Sequence, residues 1–530
     1  TGIKVLAGGI NAVGVVTATS FIGSGANLTN LPPGGNVISG IASGSLAADK
    51  AVALAHDGKL IQVAGPVDSI NPLQNVGGQI AYYNAAISGH NEGIYIPTVD
   101  RTINFFRAGS LIRWRLSNCT TAATVSDDYI TGSDPGSGLG KRAGACWDPD
   151  NSRVFVAWSD TNNGDRGYCC VGTVSATNIS WGTPVVFETS RVDYIDATYD
   201  TTQNRVVVVY QKSENQAYAI VGTIANTGNT ITFGTAVDIN SGGGARNLHC
   251  VHDVSANKIL ITYENSANSQ RAGGRLATVA NTGNTITMVG SVTELNQATG
   301  VDCHSDLAYD SVNEKSLFVY KGASNKGYGR VLSISGTTIS LGTEVIFYDY
   351  SLQSYPPDLK YDTGINKCLL AYIRPSHSAV GGLVTATISG TSVSFGTEYN
   401  VANIGCHSPV IVSNNNVAYR AVFSYALISN DYLKGQGVKT AEVVPNIASA
   451  EQYIGFADQA YTNGQTATIK TVGNITGNLS GLTTGTKYYV QHDGTVALTW
   501  DSGNFASFAT NTPRAGRAIN STTLQIYQPD

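Results

Sequence analysis

The chain has 530 residues, with 32 Lys plus Arg against 37 Asp plus Glu, a formal net charge of −5. Hydrophobic residues make up 42% and charged residues 13%, where an ordinary soluble domain carries about 25% charged. A disordered chain is excluded, because it needs low hydrophobicity with high net charge, and the lack of a basic excess to neutralise phosphates argues against a nucleic-acid binder.

Residues 1–36 are dominated by small side chains and glycine, as in the run from Gly14 to Thr29. Such a stretch buries little area alone. It is expected to order against other chains, as an attachment or oligomerisation segment. Thr1 to Leu31 has no basic stretch followed by an apolar one, so no signal peptide is expected. No apolar run reaches the 18 or so residues that span a bilayer, so no membrane insertion is expected. Residues 37–75 carry short strands about turns: Ala51 to Leu54, then His56-Asp57-Gly58-Lys59, then Leu60 to Val63. Asp-Gly between apolar runs signals a hairpin.

From 76 to 447 the chain repeats itself, which is the first pattern to look for in a long sequence. An aromatic-Asp pair closes a short strand at Trp147-Asp148, Tyr199-Asp200, Tyr309-Asp310 and Tyr361-Asp362, with His252-Asp253 in the same place of a further copy. These aspartates step by 52, 53, 57 and 52 residues. An apolar-Gly-Thr triplet recurs at Trp181-Gly182-Thr183, Phe233-Gly234-Thr235, Leu341-Gly342-Thr343 and Phe395-Gly396-Thr397. Each copy reads as four strands. In one, Tyr194 to Tyr199, Arg205 to Tyr210, Tyr218 to Ile224 and Thr230 to Ile239 are separated by turn residues. Short β-branched runs at this spacing mean all-β, and four strands in about 50 residues make a propeller blade.

Copies start near Asn91, Arg142, Tyr194, Asn247, His304, Pro356 and His407, and the last lacks its fourth strand. Gln79 to Asn84 resembles the fourth strand Glu344 to Asp349. An N-terminal strand is therefore expected to complete the last blade and leave no open sheet edge. The expected fold is a seven-bladed β-propeller, with six or eight blades if the first copy is misread. Residues 448–530 return to strands and turns, such as Ala467 to Val472, Lys487 to Gln491 and Thr523 to Tyr527. With residues 37–75 they are expected to form one small β-sandwich or barrel-like module into which the propeller is inserted.

The repeat ranks candidate site positions. Four residues before each landmark Asp stand Gly144, Asp196, His249, Asp306 and Asp358, with Pro409 assigned to that place in the last copy. Six before stand Arg142, Tyr194, Asn247, His304, Pro356 and His407. Even offsets face one side of a strand, so Asp196, His249, His304, Asp306, Asp358 and His407 are expected to form a polar ring in the central channel. Three readings are open for it: a metal site, since imidazole and carboxylate suit divalent ions; paired carboxylates acting on a glycan; or a hydrated lining, which leads. No HExxH, GxSxG or GxxxxGK[ST] motif is present, and no catalytic residue, metal ligand or cofactor is assigned. The eight cysteines include no CxxC and are expected to be mostly buried free thiols. Tyr348, Tyr350 and Tyr355 fall between the fifth and sixth blades, where packing is expected before sugar stacking.

The run Gly14 to Thr29 resembles a segment recurring in tail-fibre and other virion proteins of bacteriophages, marine ones in particular. Tyr453 to Ala457, Gly481 to Gln491 and Arg514 to Ile519 are similar to a small β-domain of phage fibre and appendage proteins, which often begins as Val37 to Val63 does here. Ala497 to Phe508 is longer and more irregular than that pattern. The resemblance implies a non-enzymatic virion subunit, homotrimeric, joined through its N-terminal segment to other tail or capsid proteins. It would be assembled in the host cytoplasm, then become extracellular, and present the propeller to a host glycan or protein. The alternatives are a glycan-degrading spike and a ligand-free decoration fibre.

Overall fold

The computed structural model describes residues 37–42, 45–54, 59–63, 73–87, 92–108, 111–118, 124–129, 143–213, 216–241, 243–296, 304–352, 356–375, 379–414, 420–440, 453–462, 464–491, 495–499 and 514–526. The attachment segment 1–36, the irregular stretch 500–508, Gly242, Cys119, Cys303 and Tyr355 lie outside them. The described residues are all-β. They form antiparallel sheets with a few 3-10 turns, and none of their helices is long and apolar enough to cross a membrane. The chain divides into two compact units, residues 1–67 with 444–530, and 68–443.

The smaller unit interleaves strands from the two ends of the sequence. One sheet runs Val37–Ile41, Thr466–Lys470, Tyr453–Ala457, Ala51–Leu54, Leu60–Gln62. A second runs Ile475–Thr476, Leu524–Ile526, Arg514–Ala518, Lys487–Val490, Val496–Ala497. Ala51, Ala53, Val63, Phe456, Val490, Leu524 and Ile526 share one buried core. One polar side chain adds to the ladders that tie the two ends together. Asp49 is 7% exposed and adopts φ +56°. Its carboxylate accepts from Asn478 Nδ2 at 2.7 Å, Thr476 Oγ1 at 2.8 Å and Lys470 Nζ at 3.1 Å. Burial acts to raise this carboxyl's pKa. The three donors outweigh burial and hold it below the ordinary value.

In the larger unit the landmarks acquire physical roles. Each landmark Asp caps the turn after its strand: Asp148 accepts from Asp150 N and Asn151 N, Asp200 from Thr202 N and Gln203 N, and Asp310 from Val312 N and Asn313 N. This is the side-chain turn that Asp favours. The aromatic before it braces the turn of the preceding sheet. Tyr199 Oη donates to Asp150 Oδ2 at 2.7 Å, and Ser255 N donates to Tyr309 Oη at 3.2 Å. The apolar-Gly-Thr glycine is steric. A Cβ on Gly234 would lie 1.7 Å from the Asn284 carbonyl oxygen, and one on Gly342 1.9 Å from that of Thr391. In both places the hairpin of the next sheet rests on the glycine.

Second strands such as Arg205–Lys212 are continuously apolar because both faces are covered. Val206 and Val208 enter one core, Val207 and Val209 the next. The adjacent Cys169 and Cys170 part in the same way, and all six described cysteines are free and buried. The innermost strands are Glu92–Ile96, Gly144–Asp148, the end of Val185–Asp200, Ala245–Asp253, Ser305–Asp310, Asp358–Asp362 and Cys406–Asn414. Each lies beside the next, and the last lies beside the first. The last sheet takes its outer strand from the start of the unit: Gln74–Ala86 pairs antiparallel with Tyr432–Lys439.

Candidate functional site

The strand registers give a common ruler. Ile96, Asp148, Asp200, Asp253, Asp310, Asp362 and Asn414 each pair with the basic residue that opens the next strand. Four residues before them stand Glu92, Gly144, Asp196, His249, Asp306, Asp358 and Val410. The landmark of the last repeat is thus Asn414, and Val410 rather than Pro409 holds the ring position. Glu92, Asp196, His249, Asp306 and Asp358 line one cavity of about 450 Å³, together with Lys360 from the position two before Asp362.

The aspartates of this ring are tied to backbone. An innermost strand presents an open sheet edge toward the channel, so its N–H groups need partners. Asp196 Oδ2 accepts from Cys250 N at 2.9 Å, Asp306 Oδ2 from Leu359 N at 2.6 Å and Asp358 Oδ2 from Ile411 N at 2.6 Å. Each bond joins a strand to the innermost strand of the following sheet. Asp196 Oδ1 and Asp306 Oδ1 also accept from the amides of Ala197 and Leu307, both at 2.8 Å. His249 Nδ1 lies 3.1 Å from Asp306 Oδ1 and 3.8 Å from Asp196 Oδ2. Lys360 Nζ lies 3.3 Å from Glu92 Oε1 and 3.6 Å from Asp358 Oδ1.

Burial and neighbouring charge separate the carboxyls. Burial pushes Glu92 up to about 7; Lys360 opposes the rise, while Asp358, Asp196 and Asp306 add to it. Asp196 is also raised, chiefly by burial. Asp306 is buried too, but its bond to His249, the charges of His249 and Lys360 and the Leu359 amide outweigh this and bring it down to about 2. Burial acts to lower Lys360, and the four carboxylates around it overcome that and hold the ammonium charged well beyond the ordinary range.

His304 and His407 are not among the cavity-lining residues. His304 precedes the strand Ser305–Asp310, and its carbonyl accepts from Lys321 N at 2.9 Å. His407 Nε2 lies 2.8 Å from Asp431 Oδ1 and its Nδ1 3.1 Å from Ser408 Oγ. For His407 the even-offset rule breaks at a bulge. One extra residue enters the ladder between Asp193 and Asp196, between Arg246 and His249, and between His407 and Val410. Tyr194, Asn247 and Ser408 take φ of +46°, +46° and +49° there. An added residue reverses the alternation of faces. Glu92 and Lys360 went unseen in the sequence. Glu92 belongs to a repeat whose landmark is Ile96 instead of Asp, and Lys360 has no counterpart in the other repeats. Counting back from the basic residue that opens each second strand finds Glu92.

Among the described residues no group of three or more His, Cys, Asp and Glu side chains is placed to hold a metal ion. Of the tyrosines between the fifth and sixth sheets, Tyr348 is buried and Tyr350 is 61% exposed, their rings 5.7 Å apart.

No family model matches this chain, and no curated protein does. Among solved structures it is similar to the BP39L lectin from Burkholderia pseudomallei, with 10% identity over 69% of this chain and 99% of that one, at a TM-score of 0.47. It is also similar to AofleA from Arthrobotrys oligospora, with 8% identity over 62% of this chain and 89% of that one, at 0.40. A third is NanB with Optactamide, at 10% identity over 70% and 71%, at 0.41. At these scores and identities the likeness carries no functional argument.

Proposed function

We propose that this chain is a non-enzymatic appendage subunit of a bacteriophage particle, whose residues 74–439 form a seven-bladed β-propeller presented for host attachment. The propeller reading is supported by the innermost strands, which lie side by side in order until the last meets the first, and by the strand Gln74–Ala86 that completes the last sheet. The virion reading is supported by the resemblance of residues 2–70 and 451–530 to phage fibre segments. In this reading the N-terminal segment trimerises and attaches, and the propeller meets a host glycan or protein.

The observation that carries the non-enzymatic part is the use of the ring aspartates. Asp196, Asp306 and Asp358 each commit an oxygen to the backbone of the next strand, and Asp196 and Asp306 commit the second as well. Carboxylates so engaged hold a scaffold in shape and are poor proton carriers. The test is electron cryo-microscopy of particles that contain the chain. Three-fold projections from a tail or capsid support the proposal; a free monomer attached to no particle sinks it.

A second reading rests on Glu92. A carboxylic acid near pKa 7 beside ionised neighbours is the arrangement of a general acid in glycan hydrolysis. Glycan cleavage by the purified chain, abolished by Glu92→Gln, would establish it.

A further inference from the structure

Glu92 and Lys360 stand apart from the rest of the ring. The aspartates bond to backbone, whereas these two meet across the channel from different sheets and keep hydrogen-bonding capacity beyond each other. Lys360 has three N–H donors and two carboxylate neighbours, Glu92 Oε1 at 3.3 Å and Asp358 Oδ1 at 3.6 Å. Glu92 retains the acceptor capacity of Oε2. A held ammonium beside a carboxylate offers one donor and one acceptor side by side. That is the complement of two neighbouring hydroxyls, one accepting and one donating.

The cavity around the pair suits the rest of such a ligand. Its volume of about 450 Å³ falls within the roughly 300–1,000 Å³ range of small-molecule sites. Half-buried Tyr95, Trp147 and Tyr361 line its wall and supply flat apolar surface for the C–H face of a sugar ring. Charge sets the class. Four carboxyl groups face this space against one lysine and one histidine. A ligand carboxylate would meet uncompensated repulsion there, and the ammonium that could receive it already has two carboxylate partners.

We propose that the channel cavity binds a neutral sugar through a vicinal diol, with Lys360 donating to one hydroxyl and Glu92 accepting from the other. This rests on the attachment reading and names its ligand class.

The test is saturation-transfer NMR on the full chain with methyl α-glucoside, methyl α-galactoside, methyl α-mannoside and methyl glucuronide. At least one neutral glycoside should give transfer, and the glucuronide none. The double variant Glu92→Gln, Lys360→Met removes both charges together and should weaken neutral binding at least tenfold while thermal unfolding stays within a few degrees. Should that variant fold poorly, Lys360→Arg keeps the charge, moves the donors and should also weaken binding. Glucuronide binding as strong as that of any neutral glycoside overturns the inference. So does neutral binding indifferent to both variants, or no binding at millimolar concentration. Host adsorption by particles separates the two levels. Particles that carry the double variant and adsorb normally overturn the diol site and leave attachment standing. Particles that lack the chain and still adsorb normally overturn the attachment reading itself.

Discussion

The two units solve one problem, holding distant parts of a chain together, in opposite ways. In the 68–443 unit the solution is distributed. Asp196, Asp306 and Asp358 each fasten one innermost strand to the next, the landmark aspartates cap turn after turn, and the tyrosines before them brace the neighbouring turn. In the smaller unit the backbone ladders are joined by a convergent side-chain fastening at Asp49, which gathers Thr476, Asn478 and Lys470 from a region more than four hundred residues away. A repeated fastening tolerates the loss of one copy. A convergent one loses three side-chain bonds at once.

The largest effect should therefore come from Asp49→Ala. It leaves Lys470, the buried Thr476 hydroxyl and the Asn478 amide without their acceptor and should cost about 4 kcal/mol, read by calorimetry and by proteolysis confined to the flanks. A loss below about 1 kcal/mol would break the contrast. Gly234→Ala comes next. Its Cβ meets the backbone of the following sheet, and nothing flexible is there to yield, so about 3 kcal/mol is expected. Asp306→Asn weakens one strand-to-strand bond and the His249 contact, for about 2 kcal/mol in chemical unfolding, with the other fastenings intact by hydrogen exchange.

Taken per pH unit, the smallest effect is one of pH. Glu92 is raised above its unfolded value, so its contribution is complete below about pH 4.5 and is lost as pH rises through about 7. Between those values stability should fall by roughly 1.4 kcal/mol per pH unit through this group, and Glu92→Gln should flatten that slope. Asp306 works in the opposite sense. Its contribution is present above about pH 4 and lost as pH falls through about 2. An unchanged slope in the Gln variant would remove Glu92 from the account.

Much of this was legible because repetition turns one chain into its own alignment. The landmark Asp, the aromatic before it and the triplet glycine recur because each makes the same kind of contact in several sheets. The closing strand was legible from the likeness of Gln79 to Asn84 to a fourth strand elsewhere. Four ring residues, Asp196, His249, Asp306 and Asp358, followed from counting back along a strand. Legibility ended where a local departure carries no residue signature. The bulges fall on Tyr194, Asn247 and Ser408, three different residue types, so the face of His407 could not be read from its offset. Lys360 occurs in one repeat only, and a periodic reading discards what does not recur.

The strand Gln74–Ala86 finds its partner some 360 residues later, where Gln436 donates to the carbonyl of Val76. During synthesis this segment leaves the ribosome early and waits, unpaired, until nearly the whole unit has followed. Loop-closure entropy and high contact order make such a meeting slow. Assembly of the larger unit is therefore expected to end on this pairing, and until it forms the strand Tyr432–Lys439 is open to the corresponding segment of any other chain nearby.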